Sequence, residues 1–125
     1  MNIAEHYDQL ALLRKQYLNK NKYYYALLYK EYKYFIPEGK KILEVGCGTG
    51  ELLAVLKPSL GVGVDISPRM IYAAQDQFPT LQFFAGEISD IKISCRKIYP
   101  VLFTSGVELK NALEYFHCLF AIVCN

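Results

Sequence analysis

The chain has 125 residues, 53% hydrophobic and 21% charged, which fits one globular domain with a real core and excludes a disordered or fibrous polypeptide. Its formal net charge is only +2, too little field to argue for a nucleic-acid partner or an anionic membrane surface. Met1 to His6 lacks the apolar core of a signal peptide, and no apolar run approaches the roughly 18 residues of a membrane span, so a cytoplasmic location is expected.

From Ile3 to about Leu18, apolar residues recur at three- and four-residue steps (Ile3, Tyr7, Leu10, Leu13, Tyr17), the pattern of an amphipathic helix. The polar run Asn19 to Lys22 interrupts it. A second helix is predicted from about Tyr23 to Phe35, with Tyr25, Leu28, Tyr29, Tyr32 and Phe35 or Ile36 along one side. Pro37-Glu38-Gly39 stops it. Eight of the eleven tyrosines lie between Tyr7 and Tyr34. They either coat the two helices or, for one or two of them, line a pocket. Eight basic residues, including Arg14, Lys15, Lys22, Lys40 and Lys41, precede Val45, and a solvated helical face explains them as well as a binding role does.

Beyond Lys40 the pattern changes. Ile42 to Val45 reads as a buried strand, followed by three glycines at alternate positions and a helix from Glu51 to Leu56 that Lys57-Pro58 ends. Gly61 to Ile66 is a second strand. Ser67-Pro68 starts a helix to about Phe78, serine as cap and proline in the first turn. Leu81 to Phe84 is a third strand and Val101 to Thr104 a fourth. Strands alternating with short helices indicate right-handed βαβ units, hence a parallel α/β sheet. A last, very apolar helix is expected from about Val107 to Leu119 or beyond.

The glycine loop opens onto a helix start, where free N–H groups and absent side chains let a ligand approach the backbone. A dinucleotide fingerprint requires glycine at the sixth position from Gly46, where Glu51 stands, and no Gly-Lys-Ser/Thr follows for a P-loop. What remains is Glu44-x-Gly46-x-Gly48-x-Gly50, whose carboxylate suits a cationic or amine-bearing ligand. Asp65 ends the second strand, where it can accept both hydroxyls of a ribose or cap the next helix. Glu87, in Phe84-Ala85-Gly86-Glu87-Ile88, can accept from an exocyclic amine. The cysteines (Cys47, Cys95, Cys118, Cys124) and the histidines His6 and His117 form no zinc spacing; no metal is expected, and reduced thiols fit a cytoplasmic chain.

On these residues the chain resembles the class I S-adenosylmethionine-dependent methyltransferases. Ile42 to Gly50 is similar to the family's first motif, Gly63 to Met70 to its second, and Phe84 to Ile88, with glutamate in place of the usual aspartate, to its third. The resemblance implies a Rossmann-like sheet in strand order 3-2-1-4. It also implies an N-terminal helical cap over residues 1–38 and a cofactor domain over residues 39–125. S-adenosyl-L-methionine is the implied cofactor. Gly46, Cys47, Gly48, Thr49 and Gly50 would approach its methionyl and ribose parts, Glu44 would support its amino group, and Asp65 would hold the ribose. Ile66, Met70 and Ile88 would flank the adenine, with Gly86 and Glu87 at its amine. The implied reaction is methyl transfer to a small-molecule acceptor, with no catalytic residue assigned; the alternative is a non-catalytic S-adenosylmethionine-binding module. The family's sheet has seven strands and this chain offers four, so truncation is expected, with self-association through the apolar C-terminal segment.

Overall fold

The computed structural model describes residues 2–87 and the backbone of residues 101–103. Three helices lead: α1 (Ile3–Ala11), α2 (Arg14–Lys20) and α3 (Lys22–Phe35). The first begins with a capping box, Asn2 accepting from the Glu5 N–H at 2.8 Å while the Glu5 carboxylate accepts from the Asn2 N–H at 3.0 Å. The single helix expected to reach Leu18 breaks at Leu12-Leu13, where the Leu13 N–H bonds back to the Leu10 carbonyl at 3.0 Å. A three-residue bond of that kind tightens and ends a turn.

The buried stripe of this segment is also shifted from expectation. Ile3 and Tyr17 are 65% and 55% exposed, whereas Ala4, Tyr7, Asp8, Ala11, Arg14 and Leu18 are half-buried. Two charged residues therefore sit on the inward face. The expected break before the next helix falls at Asn21, whose side-chain amide donates to the Tyr17 carbonyl at 2.8 Å. At the end of α3 the choice between Phe35 and Ile36 goes to Ile36. It is buried because its backbone has left the helix for an extended conformation, while Phe35 is exposed.

Four strands, β1 (Lys41–Val45), β2 (Leu60–Asp65), β3 (Gln82–Ala85) and β4 (Val101–Phe103), form one parallel sheet in the order β3-β2-β1-β4, as the resemblance implied. Helix α4 (Glu51–Val55) links β1 to β2, and α5 (Pro68–Gln77) links β2 to β3. The core joins sheet to helices through Ile42, Leu52, Leu53, Leu56, Ile71, Ala74 and Phe83, with Ile36 brought in from the end of α3. Side chains such as Ile42, Leu53 and Leu56, at 0–1% exposure, contribute about 1.5–3 kcal/mol each by leaving water. The connection order reverses at β1, whose neighbours are β2 on one side and β4 on the other. Open α/β sheets bind ligands at that reversal, outside the carboxyl ends of the strands. The expected C-terminal helix and the loop at Thr104 to Val107 lie outside the described residues.

Candidate cofactor site

The loop after β1 is built by its glycines. Gly46, Gly48 and Gly50 have φ of 75°, 56° and 87°, a region that costs an L-residue about 1–2 kcal/mol. At Gly50 there is a second reason, since an added methyl would lie 2.7 Å from Cζ of Phe83. The loop is tied to β2 where the Gly46 and Cys47 N–H groups donate to the Val64 carbonyl at 2.7 and 3.1 Å. Thr49, buried, donates from its hydroxyl to the Glu51 carboxylate. The residue that breaks the dinucleotide pattern thus helps to close the loop onto α4.

Asp65 stands at the carboxyl end of β2 and accepts from the Gly48 N–H and the Ser67 N–H, both at 2.9 Å. Both oxygens therefore hold backbone, and each retains acceptor capacity for a further donor. Burial raises its pKa, while the Ser67 and Gly48 N–H groups and the Arg14 guanidinium pull the other way. The following helix is capped by Ser67, as its place before Pro68 predicts, its hydroxyl accepting from the Met70 N–H at 3.2 Å.

That serine is itself held from α1. Asp8 of α1 accepts from the Ser67 hydroxyl and, at 3.0 Å, from the Arg69 N–H. These hydrogen bonds, the Ser67 hydroxyl first, hold the Asp8 carboxyl below its ordinary pKa. A carboxylate from one helix thus sits at the N-terminus of another, where the exposed N–H groups favour negative charge.

Glu44 is buried beneath the loop at 1% exposure. It belongs to the face of β1 that meets the helices, close enough to help raise the pKa of Tyr29, Tyr32 and Cys47. In all three, burial is the larger cause, and Tyr29 is pushed up to about 12. Cys47 is buried and its thiol is driven well above the ordinary thiol range, so it packs as a small apolar residue. Ile66 is half-buried and Met70 buried, whereas Glu87 is exposed beyond β3. The Gly86 N–H donates to the Asp65 carbonyl at 2.9 Å, which brings the third motif beside the second. Ile88 lies outside the described residues, as does His117. His6 is exposed, its ring edge-on to Tyr7.

Arg14, one of the early basic residues for which a solvated face and a binding role were both open, lies at the loop. Arg14 is half-buried, and a methyl on Gly48 would lie 3.5 Å from its Nη2. Its guanidinium lies 5.8 Å from the centre of the Tyr25 ring. Its Nε is buried with no hydrogen-bond partner among the described residues. Arg14, Tyr25 and Tyr29 also line a cavity of about 930 Å³ that reaches Thr49, Glu51 and Phe78. Two of the N-terminal tyrosines thus line a cavity beside the loop, Tyr32 packs against the core, and Tyr17, Tyr23, Tyr24 and Tyr34 are exposed. The only sequence signal for Arg14 was its place in a three- and four-residue stripe with Ala4, Tyr7 and Ala11. Among the described residues no group of histidine, cysteine and carboxylate side chains is arranged for a metal ion, and no helix is long and apolar enough to cross a membrane.

Comparison with known proteins agrees with this arrangement. The pattern of the methyltransferase domain matches residues 42–119. An uncharacterized protein of Methanocaldococcus jannaschii is 40% identical over 79 residues, covering 62% of this chain and 30% of that protein. The demethylmenaquinone methyltransferase of Chlorobaculum tepidum is 31% identical over 84 residues, covering 62% and 35% respectively. The chain therefore spans about a third of the length of these curated relatives. The structure of DhpI in complex with SAH superposes with a TM-score of 0.77 over 96% of this chain and 61% of that one, at 16% identity, a likeness of fold. With more than half its length inside the matched domain, the chain belongs to the class I S-adenosylmethionine-dependent methyltransferase family.

Proposed function

We propose that this chain binds S-adenosyl-L-methionine at the loop Gly46–Gly50 and serves methyl transfer to a small-molecule acceptor. The observation that supports the reading most is the joining of the first two motifs by the Gly48 N–H and the Asp65 carboxylate; a carboxylate so held could accept from ribose hydroxyls beside a backbone open to close approach. The donor set fits an adenosyl sulfonium. Carboxylates at Glu44, Asp65 and Glu87 suit its amine, hydroxyls and positive charge, and no Lys of a P-loop is present to favour a triphosphate.

The cofactor supplies a methyl group already activated by the sulfonium. The protein's share is alignment, worth up to about 7–11 kcal/mol in well-oriented systems. In this reading the loop backbone and Glu44 fix the methionyl part, and Asp65 fixes the ribose. Ile66, Met70, Gly86, Glu87 and Ile88 form the adenine side. The cap, residues 1–38, covers the domain of residues 39–125 and chooses the acceptor. The tyrosine-walled cavity beside the loop is of a volume that ligand pockets commonly take. No side chain is assigned as a base, and none is needed for an acceptor whose nucleophile is already deprotonated.

The test is to incubate the purified chain with S-adenosylmethionine and a panel of phenolic, amine and carboxylate acceptors, and to measure S-adenosylhomocysteine. Product proportional to enzyme with one acceptor class, and absent with Asp65→Ala, is expected. Tight binding without product from any acceptor would favour the non-catalytic binding module.

A further inference from the structure

We propose that the outward face of α3 is a self-association surface, on which a second copy of this chain docks antiparallel about a two-fold axis at the level of Tyr29. The inference is independent of the cofactor reading. One side of α3 serves the fold: Tyr25, Leu28, Tyr29 and Tyr32 are half-buried, and Tyr29 and Tyr32 pack against the core. The other side carries a second set of large apolar residues. Tyr23, Tyr24, Leu27, Tyr34 and Phe35 are 62–83% exposed. Full burial of an aromatic side chain hides about 150–250 Å², so this set offers about 600–800 Å². The largest apolar patch of an ordinary monomer is about 300–600 Å², and one partner's share of a stable interface is about 800 Å². The face has the area of half an interface.

The order of residues along the helix points to what covers it. Eleven residues make about three turns, so Tyr23 lies in line with Tyr34, and Tyr24 in line with Phe35. An aromatic pair therefore stands at each end of the face, which reads much the same in both directions. A two-fold interface requires that kind of self-complementarity, since residue i meets j where j meets i. Antiparallel pairing at the level of Tyr29 sets Tyr23 against Tyr34 of the second copy, and Tyr24 against its Phe35. The rings can then meet edge to face, as Tyr34 and Phe35 do within one chain at 5.2 Å. The charges are compatible as well. Lys30 and Glu31, both exposed, lie between the aromatic ends, so each copy brings one charge of each sign close to the axis.

The experiment is the mass of the full chain in solution, by sedimentation velocity over a range of concentrations. The wild type should show a monomer–dimer equilibrium with a dissociation constant of about 1 μM or tighter, the range of interfaces of this size. Leu27→Glu and Tyr34→Glu should each weaken the dimer about tenfold or more. Both side chains face away from the core, so the thermal midpoint of the dilute monomer should not move. Lys30→Glu and Glu31→Lys should each weaken self-association, because like charges then meet near the axis, and an equal mixture of these two variants should recover the dimer. A wild type that stays monomeric at about 100 μM would overturn the proposal and leave the face to a different partner. A dimer that survives Leu27→Glu and Tyr34→Glu would overturn it by putting the contact elsewhere. So would a mixture of the charge variants that associates no better than either alone. If a glutamate variant fails to fold, the wild-type mass and the charge variants still decide.

Discussion

Gly48 and Gly50 share a left-handed backbone but differ in what surrounds them, and that difference makes the loop testable residue by residue. The nearest atoms to a methyl on Gly48 belong to the Arg14 guanidinium, at an ordinary 3.5 Å and beyond, so Gly48→Ala should cost about the 1–2 kcal/mol of its backbone alone. A methyl on Gly50 would overlap Phe83, 2.7 and 2.9 Å away, and crowd Phe78. Gly50→Ala should therefore add about 1–3 kcal/mol of overpacking to the same backbone cost. Urea unfolding of the two variants should rank them in that order. Equal stabilities would mean that Phe83 does not pack against the loop as described. Ligand binding should follow a different ranking, because Gly48→Ala puts its methyl on the face from which the cofactor would come.

At the scale of elements, the cap and α5 are joined by Asp8, Ser67 and Arg69. The folded Asp8 carboxyl lies below its ordinary value of 3.8. Its contribution to stability is therefore complete above the unfolded pKa of about 3.9 and is lost as pH falls through the lower folded value. Asp65 acts in the opposite sense. Its raised pKa gives a contribution present below the unfolded pKa and lost as pH rises through the folded one. Asp8→Ala should lower the midpoint of thermal unfolding at neutral pH, and its deficit against wild type should shrink as the pH is taken below about 4. A deficit that stays constant with pH would show that the charge of Asp8 plays no part in holding the cap.

These elements also show what sequence can carry. The β1 loop, β2 and the start of α5 were legible because glycine, proline and serine mark them locally, and an apolar run between such marks has few ways to fold. The inward face of the cap was not. Hydropathy pointed to Ile3, Leu10 and Tyr17, yet the helices turn Asp8 and Arg14 inward, because their partners are the N-terminus of α5 and the glycine loop. Ser67 lies 59 residues from Asp8, and no local pattern reports a bond of that span. The Asn2 capping box went unread in the sequence, because Asn-x-x-Glu is a weaker form of the usual serine or threonine signal.

Taken whole, the molecule places its first two motifs at one reversal of a parallel sheet, packs tyrosine-rich N-terminal helices beside them, and belongs to a family defined by its cofactor. On the proposed reading, the loop Gly46–Gly50 with Asp65 binds an adenosyl amino-acid ligand and not a dinucleotide. Calorimetric titration of the full chain with S-adenosylhomocysteine, and separately with NAD, tests it most directly. One site per chain for S-adenosylhomocysteine, weakened by Asp65→Ala, and no heat of binding with NAD are expected. Saturable binding of NAD, or no binding of S-adenosylhomocysteine by a folded chain, would contradict it.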